Sequence, residues 1–242
     1  MRKLFFALLM CATITVTAQD DLDPRKDSVL KEADRLYRSE MASWYGSDIF
    51  IETYKEEAKN FGGYFSYVEG DDAKCIFYSR GDNPQVLATI IFDKTYDVKT
   101  AKSNNNYRDF TPLEKEYYTI RHAAALEVRK DTLFKTYKNT RLNLVPLIYE
   151  GQKKVYILTG TGETGLVVFG NDYLITFDKD SHITSKKQLH LNALFANYGN
   201  DSDGNLITGE YTIMHLKPAT LLRQQISAPS GCMKRWHDGA AI

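Results

Sequence analysis

Oxygen-bearing side chains suited to calcium cluster in residues 199–210, which read Gly-Asn-Asp-Ser-Asp-Gly-Asn-Leu-Ile-Thr-Gly-Glu. Against the twelve-residue EF-hand loop, Asp201 and Asp203 fall at positions 3 and 5, and Glu210 falls at position 12. Asn205 lies between them and adds a further oxygen. One hypothesis is therefore a calcium-stabilised module with calcium as its cofactor and Asp201, Asp203, Asn205 and Glu210 as its metal ligands.

The same loop has a plainer interpretation as a tight turn between two strands. Position 1 of the calcium pattern, normally Asp, is Gly199, so the loop lacks its first carboxylate. Residues 211–214 (Tyr-Thr-Ile-Met) favour a strand, whereas helices flank an EF-hand loop. Because Asp203 followed by Gly204 is a preferred two-residue hairpin turn, the turn is the favoured alternative.

Three histidines are candidates to share a zinc ion. His182 and His190 have an even separation, which would place both on one face of a strand. With His215 and a carboxylate such as Asp178, they supply the ligand types that zinc takes in proteins. The spacings that put two histidines on one helical face are missing, so chance explains this set equally well. The corresponding alternative function is a metal-dependent hydrolase using His182, His190 or His215.

Residues 160–165 read Gly-Thr-Gly-Glu-Thr-Gly, a literal G-x-G-x-x-G pattern. In a dinucleotide fingerprint this pattern precedes a helix, whose N-terminus receives the pyrophosphate. Here Leu-Val-Val-Phe follows at 166–169 and favours a strand. We therefore predict a glycine-rich hairpin turn, and we assign no cofactor-binding or catalytic residue.

The N-terminal residues predict export. Two basic residues precede an apolar run, and Val16 and Ala18 place small side chains at the −3 and −1 positions of a signal peptide. We expect cleavage after residue 18 and a periplasmic or extracellular location for the mature chain, residues 19–242. No later stretch is apolar for long enough to span a bilayer, so we expect no transmembrane segment in the mature chain.

Composition limits the partners and the number of domains. The 31 basic and 31 acidic residues balance, and the mature chain is slightly acidic after loss of the two leader cations. A basic patch is therefore not expected, and nucleic acid is excluded as a partner. Without a linker or a repeat, residues 19–242 are predicted to form one domain, with a loosely held tail from about residue 227.

Two cysteines remain after removal of the leader. Cys75 and Cys232 would be free to form one disulfide in an oxidising compartment, but their pairing does not follow from the sequence. Cys75 lies within a predicted strand, where a buried, inert thiol is the plainer interpretation. Cys232 is close to basic side chains, which lower the pKa of a thiol.

Periodicity predicts an α+β fold with a mainly antiparallel sheet, N-terminal helices and one capped central helix packed on the sheet. The helices are predicted at 27–46, 48–60 and 112–130, with Gly46 ending the first. The third begins with Thr-Pro-Leu-Glu, in which Thr111 and Glu114 form a capping box. Further predicted elements are strands at 64–68, 75–79, 86–92, 143–149, 183–189 and 211–216, paired strands within 153–189, a loop at 95–109, a helix or strand at 191–198, and a short helix at 219–226.

The leader ending Val-Thr-Ala-Gln and the segments Phe-Gly-Asn-Asp-Tyr (169–173) and Thr-Phe-Asp-Lys (176–179) resemble exported, uncharacterised proteins of Bacteroidetes-type bacteria. The resemblance carries no functional motif. Because no complete catalytic constellation is present, the leading hypothesis is a non-catalytic protein that binds a ligand or partner through the sheet or the 104–110 loop. The sixteen tyrosines suit contact with a protein, peptide or glycan partner, and they suit strands equally well.

Overall fold

The computed structural model describes residues 24–105 and 107–199. Three helices and ten strands are defined within these ranges. In chain order they are α1 (Pro24–Thr53), α2 (Lys55–Ala58), β1 (Phe61–Glu69), β2 (Asp72–Ser79), β3 (Val86–Phe92), β4 (Lys102–Asn104), α3 (Pro112–Lys130), β5 (Thr140–Tyr149), β6 (Gln152–Thr161), β7 (Leu166–Gly170), β8 (Tyr173–Phe177), β9 (Ile183–Gln188) and β10 (Ala193–Asn197).

All of the described strand pairs are antiparallel, which confirms the predicted α+β class. The first sheet has the order β1-β2-β3-β4, and the second has the order β5-β6-β8-β9. Strands β7 and β10 form a separate two-stranded ribbon. Short turns join most neighbouring strands, and such turns can only reverse the chain direction.

Helices cover both faces of the first sheet. On one face, Phe77 of β2 stacks on Phe50 of α1, with ring centroids 4.1 Å apart. On the other face, Phe65 and Tyr67 of β1 stack on Tyr117 of α3. Because both faces are covered, β2 and β3 are buried almost throughout instead of alternating between buried and exposed positions.

Helix α3 also covers the second sheet. Its Ile120 and Ala124 are fully buried against a cluster that includes Val155 of β6 and Ile175 of β8. A smaller cluster joins Leu36 of α1 to the second sheet. The two sheets are therefore connected through side chains of the same two helices.

The predicted break between two N-terminal helices is wrong. Helix α1 is already formed at Pro24 and continues through Gly46 to Thr53, leaving only the four-residue α2 beyond it. A Cβ atom at Gly46 would lie 3.0 Å from Cβ of Cys75, closer than real Cβ atoms normally approach. Gly46 therefore allows α1 to lie close to β2, and it does not end the helix as a glycine C-cap would.

The prediction for α3 is confirmed at both ends. The Thr111 hydroxyl accepts the Glu114 amide at 3.2 Å, and the Glu114 carboxylate accepts the Thr111 amide at 2.8 Å. Pro112 follows the cap, and the helix ends at Lys130 as expected. Leu113 lies on the first turn of α3, and its side chain is exposed.

The structure also defines strands in two segments whose predicted conformation was a loop or was left open. The predicted loop at 95–109 contains β4, which pairs with the outer edge of β3. Residues 191–198, assigned to a helix or a strand, contain β10. The predicted leader, Cys232, the strand at 211–216, the helix at 219–226 and the tail from 227 lie outside the described residues. None of the described helices is long and apolar enough to cross a membrane.

Candidate functional site

A concave site lies where the first sheet meets the 104–110 loop and the first turn of α3. Its volume is about 620 Å³, within the usual range for sites that hold small molecules. We call it the Arg108 cleft. Its main polar lining residues are Tyr67, Glu69, Lys74, Thr89, Asn104 and Arg108.

Strand register brings the sheet residues of the Arg108 cleft together. Tyr67 of β1 pairs with Lys74 of β2, and Lys74 pairs with Ile91 of β3. Directly paired residues in antiparallel strands present their side chains on the same face, so these three form one row across the sheet. Thr89, two residues before Ile91, lies on the same face and pairs with Asn104 of β4.

Arg108 is fixed in the cleft by the capping residue of α3. Its two terminal nitrogens donate to the two carboxylate oxygens of Glu114 at 2.6 and 2.8 Å. A further bond of 3.2 Å runs from Arg108 to the Thr89 hydroxyl. Because Glu114 is only 2% exposed, its carboxylate is held by the protein rather than by water. The guanidinium group therefore has one preferred orientation.

Charge pairing sets the protonation states in this cleft. Burial alone would raise the pKa of Glu114, but hydrogen bonds from Arg108 and the Thr111 amide outweigh it and hold the pKa below its ordinary value. The bond to Glu114 raises the pKa of Arg108. Burial raises the pKa of Tyr67, and the nearby Glu114 charge raises it further, so its hydroxyl stays protonated.

The charges lining the cleft balance. Lys74 forms an ion pair with Glu69, and its ammonium lies 5.8 Å from the centre of the Tyr67 ring. Arg108 is paired with Glu114. Two cations and two anions therefore lie close together with no net charge, which suits a ligand with several hydrogen-bonding groups and little net charge better than a polyanion.

The proposed zinc ligands are not brought together. His182 is exposed before β9, with its Nδ1 atom 3.3 Å from an Asp178 oxygen. His190 lies beyond the other end of β9, with its Nδ1 atom 3.3 Å from an Asp172 oxygen. Strand β9 lies between them and alone spans about 17 Å, too far for both histidines to bind one ion. His215 lies outside the described residues, among which no cluster of three or more metal-ligating side chains occurs.

His190 lies beside a buried polar network that sequence reasoning missed. Asn171 has a positive φ of 53°. Its side-chain amide nitrogen, Nδ2, donates to the Lys135 carbonyl at 2.8 Å and to the Thr159 hydroxyl at 3.0 Å. The next residue, Asp172, accepts the Thr159 amide at 2.9 Å. This network fixes the corner between β7 and β8. The Gly-Asn-Asp sequence at 170–172 was the available signal, because Gly and Asn tolerate positive φ.

The glycine-rich segment at 160–165 leads into strand β7, so the helix that a dinucleotide site requires is not there. The predicted hairpin is wrong, however, because β7 pairs with β10 and β6 pairs with β5 and β8. The segment instead carries the chain from the second sheet to the ribbon. The predicted calcium ligands Asp201, Asp203, Asn205 and Glu210 lie outside the described residues.

Cys75 is fully buried in β2. Burial raises the pKa of its thiol to about 12, so the reactive thiolate is not formed at neutral pH. This agrees with its interpretation as an inert core residue.

Comparison of the chain with protein-family models, curated proteins and solved structures finds no match.

Proposed function

We propose that this protein is an exported, non-catalytic binding protein whose ligand or partner occupies the Arg108 cleft. The observation that carries the proposal is the convergence of three strands and the 104–110 loop on one concave site. That loop was a binding candidate from the sequence, and it supplies Asn104 and Arg108 to the lining. Pockets that combine a fixed shape with a few oriented polar groups are the usual sites of ligand binding.

Preorganisation supports binding at this cleft. The Arg108 guanidinium is held by Glu114 and Thr89, so a ligand does not have to order it. Ordering a flexible side chain upon binding costs about 0.5–1.5 kcal/mol. The hydroxyl of Tyr67, the ammonium of Lys74 and the amide of Asn104 also line the cleft, and such groups favour a ligand rich in hydroxyl or amide groups, as glycans and peptides are.

Export is part of the same proposal. It is supported by the signal peptide predicted at residues 1–18, which implies that the ligand is met in the periplasm or outside the cell. Detection of a mature chain beginning at Gln19 in a periplasmic or culture fraction would test this. A chain that keeps its first residues in the cytoplasm would contradict it.

The binding proposal is tested with the mature chain on arrays of glycans and peptides, followed by titration calorimetry of any ligand found. In the variant Lys74→Gln the cleft loses one cation, and we expect at least about tenfold weaker binding, since a hydrogen bond to a charged group contributes roughly 1.5–3 kcal/mol. Lys94→Gln is the matched control, because Lys94 forms an exposed ion pair with Asp71 outside the cleft.

Equal melting temperatures of the two lysine variants would show that a difference in binding does not arise from misfolding. Binding that is unaffected by Lys74→Gln would move the ligand site away from the Arg108 cleft. Failure to retain any glycan or peptide would contradict the proposed ligand class.

A further inference from the structure

The ribbon of β7 and β10 exposes apolar side chains on both of its faces. Leu194 is 53% exposed and its neighbour Phe195 is 43% exposed, although adjacent strand residues point to opposite faces. Leu191, just before β10, is 79% exposed. An isolated two-stranded ribbon is marginally stable in water, so this arrangement favours a further strand.

The orientation of the backbone shows which edge would receive that strand. The Asn192 carbonyl accepts the Asn171 amide at 3.0 Å, and the Tyr198 amide donates to Gly165 at 2.8 Å. In an antiparallel pair, alternate residues bond to the same neighbour, so the even-numbered residues of β10 bond to β7. The amides of Ala193, Phe195 and Asn197 consequently face the other edge.

That second edge of β10 has no strand partner among residues 24–105 and 107–199. Natural sheets normally protect such an edge with charge, proline or a covering segment. The sequence of β10, Ala-Leu-Phe-Ala-Asn, contains none of the charges or prolines that would protect it. The described part of the chain ends at Gly199, two residues beyond β10, so the residues that follow are tethered next to this edge.

We propose that residues 210–214 of the same chain dock on the second edge of β10 as an antiparallel strand. The turn-forming residues Ser-Asp-Gly-Asn at 202–205 lie between the two segments. A four-residue loop at 202–205 closes on a hydrogen-bonded pair of Asp201 with Leu206, so the odd-numbered residues of β10 bond to the added strand. This loop places Ile213 opposite Leu194, and Tyr211 opposite Ala196. This inference is independent of the proposed ligand site.

The register completes apolar rows on the ribbon. Leu194 already pairs with Phe169 of β7, so one row becomes Phe169, Leu194 and Ile213. Ala196 pairs with Val167, so the next row on the same face ends with Tyr211. Cross-strand pairs of this kind are the unit of sheet stabilisation. A slip by one residue would place Thr212 opposite Leu194 and reverse the faces of the added strand.

The same register is incompatible with the calcium hypothesis. Asp203 would lie in the turn, whereas Glu210 would lie in the strand opposite Asn197. The extended part of the added strand, from Leu206 to Glu210, would alone span about 13 Å, far beyond the reach of one coordination sphere. The strand and the EF-hand-like site are therefore alternatives for this segment.

A disulfide cross-link tests the docking. In a Cys232→Ser background, the variant with Leu194→Cys and Ile213→Cys places two thiols at a non-hydrogen-bonded pair, where the Cα atoms approach to about 4.5 Å. That separation lies within the range of disulfide geometry. The control carries Leu194→Cys and Thr212→Cys, whose side chains would lie on opposite faces. Mild oxidation and mass spectrometry of tryptic peptides measure the products.

We expect an intramolecular disulfide to form at least tenfold faster in the first variant than in the control. A disulfide between two chains would overturn the proposal by showing that a second copy occupies the edge. Equal rates, or no disulfide in either variant, would overturn it as well.

Hydrogen exchange in the unmodified protein gives a second measurement that needs no variant. Docking predicts at least 100-fold slower exchange than in an unstructured chain for the amides of Ala193, Phe195 and Asn197. Exchange of these three amides at the unstructured rate would overturn the proposal even if the cysteine variants failed to fold.

Discussion

Replacing Glu114 by glutamine tests whether a buried charge holds Arg108 in place. The Glu114 carboxylate is 2% exposed, and it binds both terminal nitrogens of Arg108 at 2.6 and 2.8 Å. Glutamine has nearly the same shape, and it retains one oxygen for the Thr111 amide. It removes the negative charge, however, and turns one acceptor into a donor that faces the guanidinium group.

The expected cost follows from the burial of the two partners. Removing one partner of a buried ion pair costs about 3–5 kcal/mol. The Arg108 side chain is 35% exposed, so water replaces part of the lost interaction. We therefore expect Glu114→Gln to lower the free energy of unfolding by about 2–3 kcal/mol. For a domain of this size, that corresponds to a fall of roughly 5–10 °C in Tm.

The loss should depend on pH. Burial opposes ionisation of Glu114, but the bonds from Arg108 and Thr111 outweigh it, so the pKa is lower in the folded state. A carboxyl group with a depressed folded pKa contributes stability above its unfolded pKa of about 4.3. That contribution disappears as pH falls through the folded pKa. The difference between wild type and Glu114→Gln should be largest near neutral pH and shrink below about pH 4.

Urea unfolding followed by circular dichroism at pH 7 and pH 3 measures both effects. Glu116→Gln is a matched control on the same helix, because the Glu116 side chain is 49% exposed and its ion pair with Lys153 is 3.2 Å long. An exposed pair contributes about 0–1 kcal/mol, so this variant should change little. Equal stability of Glu114→Gln and wild type, or a loss of the same size at both pH values, would refute the reasoning.

Two further predictions concern α1 and the calcium hypothesis. Gly46→Ala should lower the free energy of unfolding by about 1–2 kcal/mol, because overpacking against Cys75 exceeds the gain in helix propensity; an increased urea midpoint would show that the close contact with β2 is unimportant. If residues 199–210 bind calcium, millimolar calcium should raise Tm by several degrees relative to EDTA, and Asp203→Asn with Glu210→Gln should abolish the shift. Identical melts with calcium and EDTA would remove that hypothesis.

Local signals in the sequence were enough to locate α3. Thr111 and Glu114 are three residues apart, so the capping box forms within one helical turn whatever surrounds it. Alternation and turn residues likewise located β1, β2 and β3, because a strand with reversing turns at both ends is also a local pattern. The resulting class, α+β with antiparallel sheets, follows from the order of these elements.

Long-range packing decided what the local patterns left open. A glycine such as Gly46 commonly ends a helix. Here it lies inside α1, because only a residue without a side chain allows α1 to lie so close to Cys75. The strand β7 follows β6 closely, yet it pairs with β10 from the far end of the described chain. Which partner a strand takes depends on the competition among all edges for burial, and that competition is not encoded in any short window.

The Arg108 cleft illustrates the division between the two levels. The sequence by itself determined the capping box at Glu114 and pointed to the 104–110 loop. Only the tertiary structure brought Thr89, nineteen residues away from Arg108, into contact with its guanidinium group. It also buried Glu114, and burial is what turns a common helix cap into a fixed ion pair. The backbone hydrogen bonds of a cap are satisfied locally, whereas the removal of water from a charge requires the folding of distant segments around it.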